Sequence, residues 1–400
     1  MDYNSLQYSG KKNSSTDWII IICLVFSGIA SMLSDNINRL ALYGALPLAF
    51  VLSFLKVKTF KINQYSNCLF LLFSWIVVSY SWAVYKDYAN IELHRVLGAF
   101  LVCYIMAVNA RNRRMLPWLY LTYIALYLGA WYYASSHLVI DVSMMDSDVD
   151  RLNDAKLNAN TMAYYTFYVT FVLFVYGEIL EKKLIRNISK IMFIAMIPIS
   201  FFVALTTASR QVLIIQMPLI SFLLYIRYFK QQSLTRKGIF VLAVFGVAAV
   251  ALPKVVSLYE NSYLAVRAST ELQEDTRFLL MEDAFKVAMD NLPFGVGAGN
   301  YIAYSFNKHF SHISYIELLA NQGIIGCLLY IYILVSFAKR QYKRYRVYND
   351  RMLLLFLLFG FIFIVDNVFY VFYNDIWLIS FLLLVATHSE TYYNEKYGNS

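Results

Sequence analysis

The stretch HFSHISYIELLANQGIIG, residues 309–326, sets the reading of the chain. Two histidines, His309 and His312, stand at its start, and Glu317 follows five residues after the second. From Leu318 to Phe337 no charged residue occurs, and an apolar run of that length reads as a membrane helix. Two imidazoles and a carboxylate thus stand at the mouth of an apparent membrane span. If the helix starts near His312, then His312, Ile316, Leu319, Gly323 and Gly326 share one stripe. The glycines on that stripe would let a neighbouring helix approach closely. Glu317 and Asn321 form an i, i+4 pair on another stripe. A carboxylate at that depth has to face protein or water.

The rest of the chain has the same character. Of 400 residues, 60% are hydrophobic and only 15% charged, with a mean hydropathy of +0.54, far from a soluble globular average. Apolar residues come in long blocks: Trp18–Ser34, Leu40–Leu55, Asn67–Tyr85, Val96–Ala110, Met115–Ser136, Leu157–Gly177, Ile191–Ser209, Gln211–Ile226 and Gly238–Pro253. Met352–Val365 and a segment ending at Thr387 follow the 318–337 block. The expectation is an all-α integral membrane protein of about 12 transmembrane helices. It forms a single polytopic domain over 1–400, with one long extracytoplasmic loop, 254–312, that contains short helices. The first span follows a polar segment without a cleavage-site pattern and is read as a retained helix. Cys23, Cys68, Cys103 and Cys327 lie inside apolar blocks without C-x-x-C spacing, so they read as packing residues.

The formal net charge of +9 does not call for nucleic acid. Basic residues collect in alternate loops, at Lys56–Lys61, Arg111–Arg114, Lys182–Lys190, Arg227–Lys237 and Lys339–Arg351, and basic loops stay in the cytoplasm. Both termini are then cytoplasmic, the 254–312 loop lies outside, and the chemistry is expected on that outer face. No internal repeat with matching broken helices, the mark of many secondary transporters, is visible.

The outer segments carry several constellations. Residues 275–291, DTRFLLMEDAFKVAMDN, have helical amphipathic spacing through Phe278, Met281, Phe285 and Met289, with Arg277 in the first turn. PFGVGAGNY, 293–301, follows, with three glycines in five residues. Such a loop either presents backbone N–H groups to a phosphate or makes a plain turn. Arg210 stands alone between two apolar blocks. It reads as an interfacial arginine snorkelling to headgroups or as a bidentate anion clamp. Asp146, Asp148 and Asp150 alternate like a cation loop, but Arg151 and Leu157 occupy positions where an EF-hand needs Gly and Glu. That segment is an ordinary solvated loop or, on the alternative reading, a divalent-metal site.

Together, Arg210 in T-x-S-R, Arg277 before P-F-G-V-G-x-G-N-Y, and S-H-x-S-Y-I-E-L-L-A-N-Q-G-I-I-G resemble the O-antigen ligase and O-antigen polymerase superfamily of bacterial membrane glycosyltransferases. The likeness is most specific from Arg277 to Gly326 and extends weakly to Asn158–Asn160. Ile313 stands where the family often has Asn, and Ala159 where it often has proline. The resemblance implies metal-independent, inverting transfer of a glycan from undecaprenyl pyrophosphate to a sugar hydroxyl, outside the inner membrane and without a cofactor. The acceptor is a lipid-linked core for a ligase or another repeat unit for a polymerase. His312 is the expected general base, and Arg210 and Arg277 the expected pyrophosphate clamp. Asn160, Gly295, Gly297, Asn300, Tyr301, His309 and Glu317 are expected to line the substrate site. The competing classes are a metal-dependent membrane glycosyltransferase using Asp146–Asp150 and a polysaccharide transporter or flippase.

Overall fold

The computed structural model describes residues 14–31, 33–135, 159–207, 216–229, 276–306, 308–373 and 375–398, with positions 233, 235, 236, 238, 256 and 257 between them. Every regular element among the described residues is helical. In chain order these are α1 (Ser15–Ala30), α2 (Asn36–Val57, with a π-turn over Ala41–Ala45), α3 (Gln64–Ser79), α4 (Lys86–Asn109), α5 (Leu116–Ser135), α6 (Ala159–Ile179) and α7 (Lys183–Thr207). They continue with α8 (Met217–Leu224), α9 (Thr276–Asp290), α10 (Tyr301–Tyr304), α11 (Ser314–Tyr348), α12 (Arg351–Asp366) and α13 (Ile376–Tyr397).

Where they are described, the apolar blocks read from sequence lie mostly in helices, with short non-helical ends such as 83–85. Among the described residues four helices are long and apolar enough to cross a membrane: Asn36–Val57, Lys86–Asn109, Lys183–Val203 and Ser314–Tyr348. Ser15–Ala30 and Pro218–Tyr228 are shorter apolar helices. α4 begins ten residues before the block at Val96, because Glu92 is buried against protein and does not end the helix as a lipid-facing charge would. Apart from position 238, the expected span 238–253 lies outside the described residues, as does the acidic segment 144–160 apart from positions 159 and 160.

The chain divides into two compact units. One consists of Met1–Ser27, Asp35–Thr122 and Asp275–Ser400, the other of Gly28–Ser34 and Tyr123–Glu274. In the second unit α6 packs along α7, with Phe174 and Phe193 edge to face at 5.6 Å. Arg227 reaches back over this pair. Its Nη2 donates to the Phe174 carbonyl at 2.6 Å and to Glu178 at 3.3 Å, and its guanidinium lies 4.1 Å from the Phe174 ring. The close approach passes over Gly177, where a Cβ would strike the guanidinium.

In the first unit α4 packs on α13, and α11 on α3, α9 and α12. Polar side chains set the helix ends. Asn63 caps α3 in a reciprocal box, accepting from Ser66 N–H at 2.8 Å while Ser66 Oγ accepts from Asn63 N–H at 3.0 Å. Asp350 caps α12 and Asp375 caps α13, each accepting two backbone N–H groups. At the basic end Lys56 pairs with Asp17 and donates to Asn109 Oδ1 at 3.0 Å, joining α1, α2 and α4. A second lattice there links Arg344 to Glu390 at 2.8 Å and Lys396 to Asp350 at 2.6 Å. At the opposite end of α11 lie the glycine loop and the histidine segment.

Candidate active site

α11 starts at Ser314, with Ile313 as its extended N-cap residue. His312 is therefore outside the helix, a correction to the sequence expectation. Its φ is +62°, the left-handed region that costs a residue with a Cβ roughly 1–2 kcal/mol. Two anchors impose this conformation. On one side Glu317, buried at 3% exposure, accepts the Ser311 N–H at 2.6 Å and the Ser311 hydroxyl at 2.7 Å on one oxygen. On the other side Ser314 donates its N–H to the Asn367 carbonyl at 2.9 Å and its hydroxyl to the Tyr370 carbonyl at 2.8 Å. Its Oγ also accepts the Phe372 N–H at 2.9 Å. The half-buried His312 ring lies 4.4 Å from Phe310, which in turn meets Tyr370 edge to face. His309 is exposed three residues earlier.

The expected glycine stripe is also different in the structure. Gly323 has φ +67° and ψ −161° and breaks the helical path inside α11. A break of this kind frees carbonyls that the next turn would otherwise satisfy. The 293–300 loop fills it. Val296 N–H donates to Ala320 O and Gly297 N–H to Asn321 O, both at 2.8 Å, while Ile324 N–H donates to Pro293 O at 2.9 Å. Trp75 Nε1 donates to the third carbonyl, Gln322 O, at 2.9 Å. No side chain fits at Gly323, where a Cβ would collide with Pro293 O. The N–H groups of Gly295, Val296 and Gly297 are thus all committed inside the protein, which favours the structural turn over the phosphate cradle for those three donors.

Asn300 and Tyr301 extend the same lock. Asn300, fully buried, accepts the Tyr85 N–H at 2.7 Å and donates to Tyr85 O at 3.1 Å, fixing the start of α4. Tyr301 N–H donates to Asn321 Oδ1 at 2.7 Å, and its hydroxyl donates to Leu280 O at 3.0 Å and Asp283 Oδ2 at 3.3 Å, tying in α9. Burial pushes the Tyr301 hydroxyl well above its ordinary titration range, so it stays neutral. Asn321, partner of Glu317 on the sequence stripe, serves the glycine loop through its side chain.

The site residues read from sequence are therefore distributed as follows. Glu317, Gly295, Gly297, Asn300 and Tyr301 form one framework under the His312 segment, on α9, α10, α11 and their loops. Arg277 occupies the first turn of α9, as expected. Asn160 opens α6 in the second unit. Arg210 lies outside the described residues. Sequence reading passed over Ser311 and Ser314, the anchors on either side of His312. Their signal was present in S-H-x-S, a pair of hydroxyls flanking a titratable ring.

No curated protein matches the chain. A family model described as O-antigen ligase matches residues 191–331, a segment that runs from α7 through Arg210, Arg277 and the glycine loop to His312 and Glu317. Residues 191–331 are therefore similar to the O-antigen ligase family, in agreement with the superfamily that the motifs resemble.

Proposed function

We propose that the protein transfers a glycan from undecaprenyl pyrophosphate to a sugar hydroxyl on the outer face of the bacterial inner membrane. The observation that carries this reading is the presentation of His312. An imidazole is held in a costly backbone conformation by anchors on both sides, and such strain concentrates where function requires it. His312 accepts the proton of the acceptor hydroxyl as that oxygen attacks the anomeric carbon. The bond from this carbon to the pyrophosphate oxygen breaks, and undecaprenyl pyrophosphate leaves with the bonding pair. Attack from the face opposite the leaving group inverts the anomeric centre. Arg210 and Arg277 receive the growing negative charge through their forked donors, preorganised cations being effective in a low-dielectric site. No metal is needed in this scheme. Ligase and polymerase activity share these steps and differ in the arriving hydroxyl, a lipid-linked core or another repeat unit.

The test is glycan transfer by the purified chain in detergent, where no second compartment exists. The reading expects product, and expects it to persist with EDTA. Absence of product with donor and acceptor present contradicts it and favours the transporter class. Loss of product on chelation favours a metal-dependent mechanism through Asp146–Asp150.

A further inference from the structure

After the break at Gly323, α11 runs on as helix to Tyr348, well past the end of its charge-free part. Along that length Leu328, Tyr332, Val335, Lys339, Lys343 and Arg346 stand at i, i+4, i+7, i+11, i+15 and i+18 and form one stripe. Every one of them is exposed. The opposite face, with Tyr330, Leu334, Phe337 and Gln341, is buried. The exposed stripe changes character once. It is apolar and aromatic up to Val335 and basic from Lys339, the first charge after the 318–337 run. Tyr342, also exposed, lies within the basic part, with the Arg346 guanidinium 5.9 Å from its ring.

The basic residues of this segment sort by face. Arg340 and Arg344 turn toward α13 and share Glu390, at 3.0 Å and 2.8 Å. Lys339, Lys343 and Arg346 turn outward and form no ion pair among the described residues. Three unpaired cations within roughly 10 Å along the helix axis make a patch complementary to an anion. The patch continues the exposed apolar part of the same stripe, so the anion that uses the whole surface carries an apolar tail. Long basic side chains at the edge of the hydrocarbon reach headgroup phosphates, and tyrosines suit the same boundary. A second copy of the chain meeting this face two-fold would set the cations against their own counterparts, an unfavourable pairing.

We propose that this face of α11 binds an anionic phospholipid, with the phosphate on Lys339, Lys343 and Arg346 and the acyl chains along Val335, Tyr332 and Leu328. The site lies at the end of α11 away from His312 and does not depend on the proposed glycosyl transfer. With the basic loops in the cytoplasm, as the charge pattern predicts, the lipid belongs to the inner leaflet.

The experiment titrates the full-length chain in a neutral detergent with phosphatidylglycerol, with phosphatidylcholine and, separately, with inorganic phosphate. Wild type is expected to bind phosphatidylglycerol about tenfold or more tighter than phosphatidylcholine, with the preference shrinking in high salt. The triple variant Lys339→Gln, Lys343→Gln, Arg346→Gln is expected to lose most of that preference, about tenfold or more in Kd. A control triple, Lys61→Gln, Lys182→Gln, Lys183→Gln, removes the same charge at exposed positions elsewhere and is expected to keep it. Lys343→Gln alone is expected to weaken phosphatidylglycerol binding several-fold, and it decides the matter if the first triple does not fold. Equal binding of the two lipids by wild type, or equal loss in both triples, overturns the site. Inorganic phosphate binding as tightly as phosphatidylglycerol overturns the lipid as its occupant. A dimer of wild type in size-exclusion chromatography that the first triple converts to monomer assigns the face to a second copy and overturns the proposal as well.

Discussion

Glu317 holds Ser311 by two hydrogen bonds to one carboxylate oxygen, at 2.6 Å from the N–H and 2.7 Å from the hydroxyl. Ser311 immediately precedes His312, so this buried carboxylate fixes the segment that presents the imidazole. On the proposed mechanism Glu317 is then a positioning residue. Glu317→Ala leaves the buried Ser311 N–H unsatisfied, a loss of about 1–3 kcal/mol. The expected outcome is a fall in kcat of about tenfold or more with donor KM nearly unchanged. Glu317→Gln keeps an acceptor oxygen and is expected to retain more activity. Steady-state kinetics on both variants check this, and an unchanged kcat in Glu317→Ala would remove the role.

The break at Gly323 makes a stability prediction. With φ +67° and Pro293 O against the Cβ position, Gly323→Ala is strained in any rotamer. It is expected to cost more than about 1 kcal/mol and to lower the thermal midpoint of the detergent-purified protein. Gly44→Ala is the control. Its Cβ would meet only Leu40 Cδ1, at 3.7 Å, and it should behave like wild type. Equal midpoints for the two variants would contradict the plug of loop 293–300 into the broken helix.

Asp350 supplies the pH dependence. Burial raises its pKa, but hydrogen bonds from Lys396, the Leu353 N–H and Tyr397 outweigh it and hold the carboxyl below the ordinary range. A depressed folded-state pKa gives stability that is present above the unfolded value, about 3.9, and is lost as pH falls through the lower folded value. Wild type should therefore exceed Asp350→Asn in thermal midpoint at neutral pH, and the two should converge below about pH 4. The gap should be small, because Lys396 is half exposed. A gap that widens in acid would show the sign to be wrong.

On the proposed mechanism the arginine clamp is separable from the base. Arg210→Ala and Arg277→Ala are expected to raise donor KM or lower turnover. Lys should restore little at either position, because a point charge does not replace a planar fork. Near-wild-type turnover in both alanine variants would eliminate the clamp.

Much of the helical layout was legible because apolar blocks of membrane length leave few alternatives. The amphipathic helix α9 was legible from the spacing of Phe278, Met281 and Phe285. Glu92 and Gly323 were not, because each breaks a local rule for a tertiary reason. Glu92 sits within a membrane-type helix because protein covers it, and Gly323 interrupts a helix because another loop supplies the missing partners. The position of His312 one residue before the N-cap likewise depends on Asn367, Tyr370 and Phe372, more than 50 residues away in sequence. The roles of Asn300 and Tyr301 as clamps on α4 and α9 follow from contacts that no spacing encodes.

The most direct test of the account concerns His312. Purified His312→Ala protein, supplied with lipid-linked glycan and acceptor, should bind the donor like wild type and transfer no glycan. Donor binding with full transfer in that variant would contradict the assignment of His312 as the base.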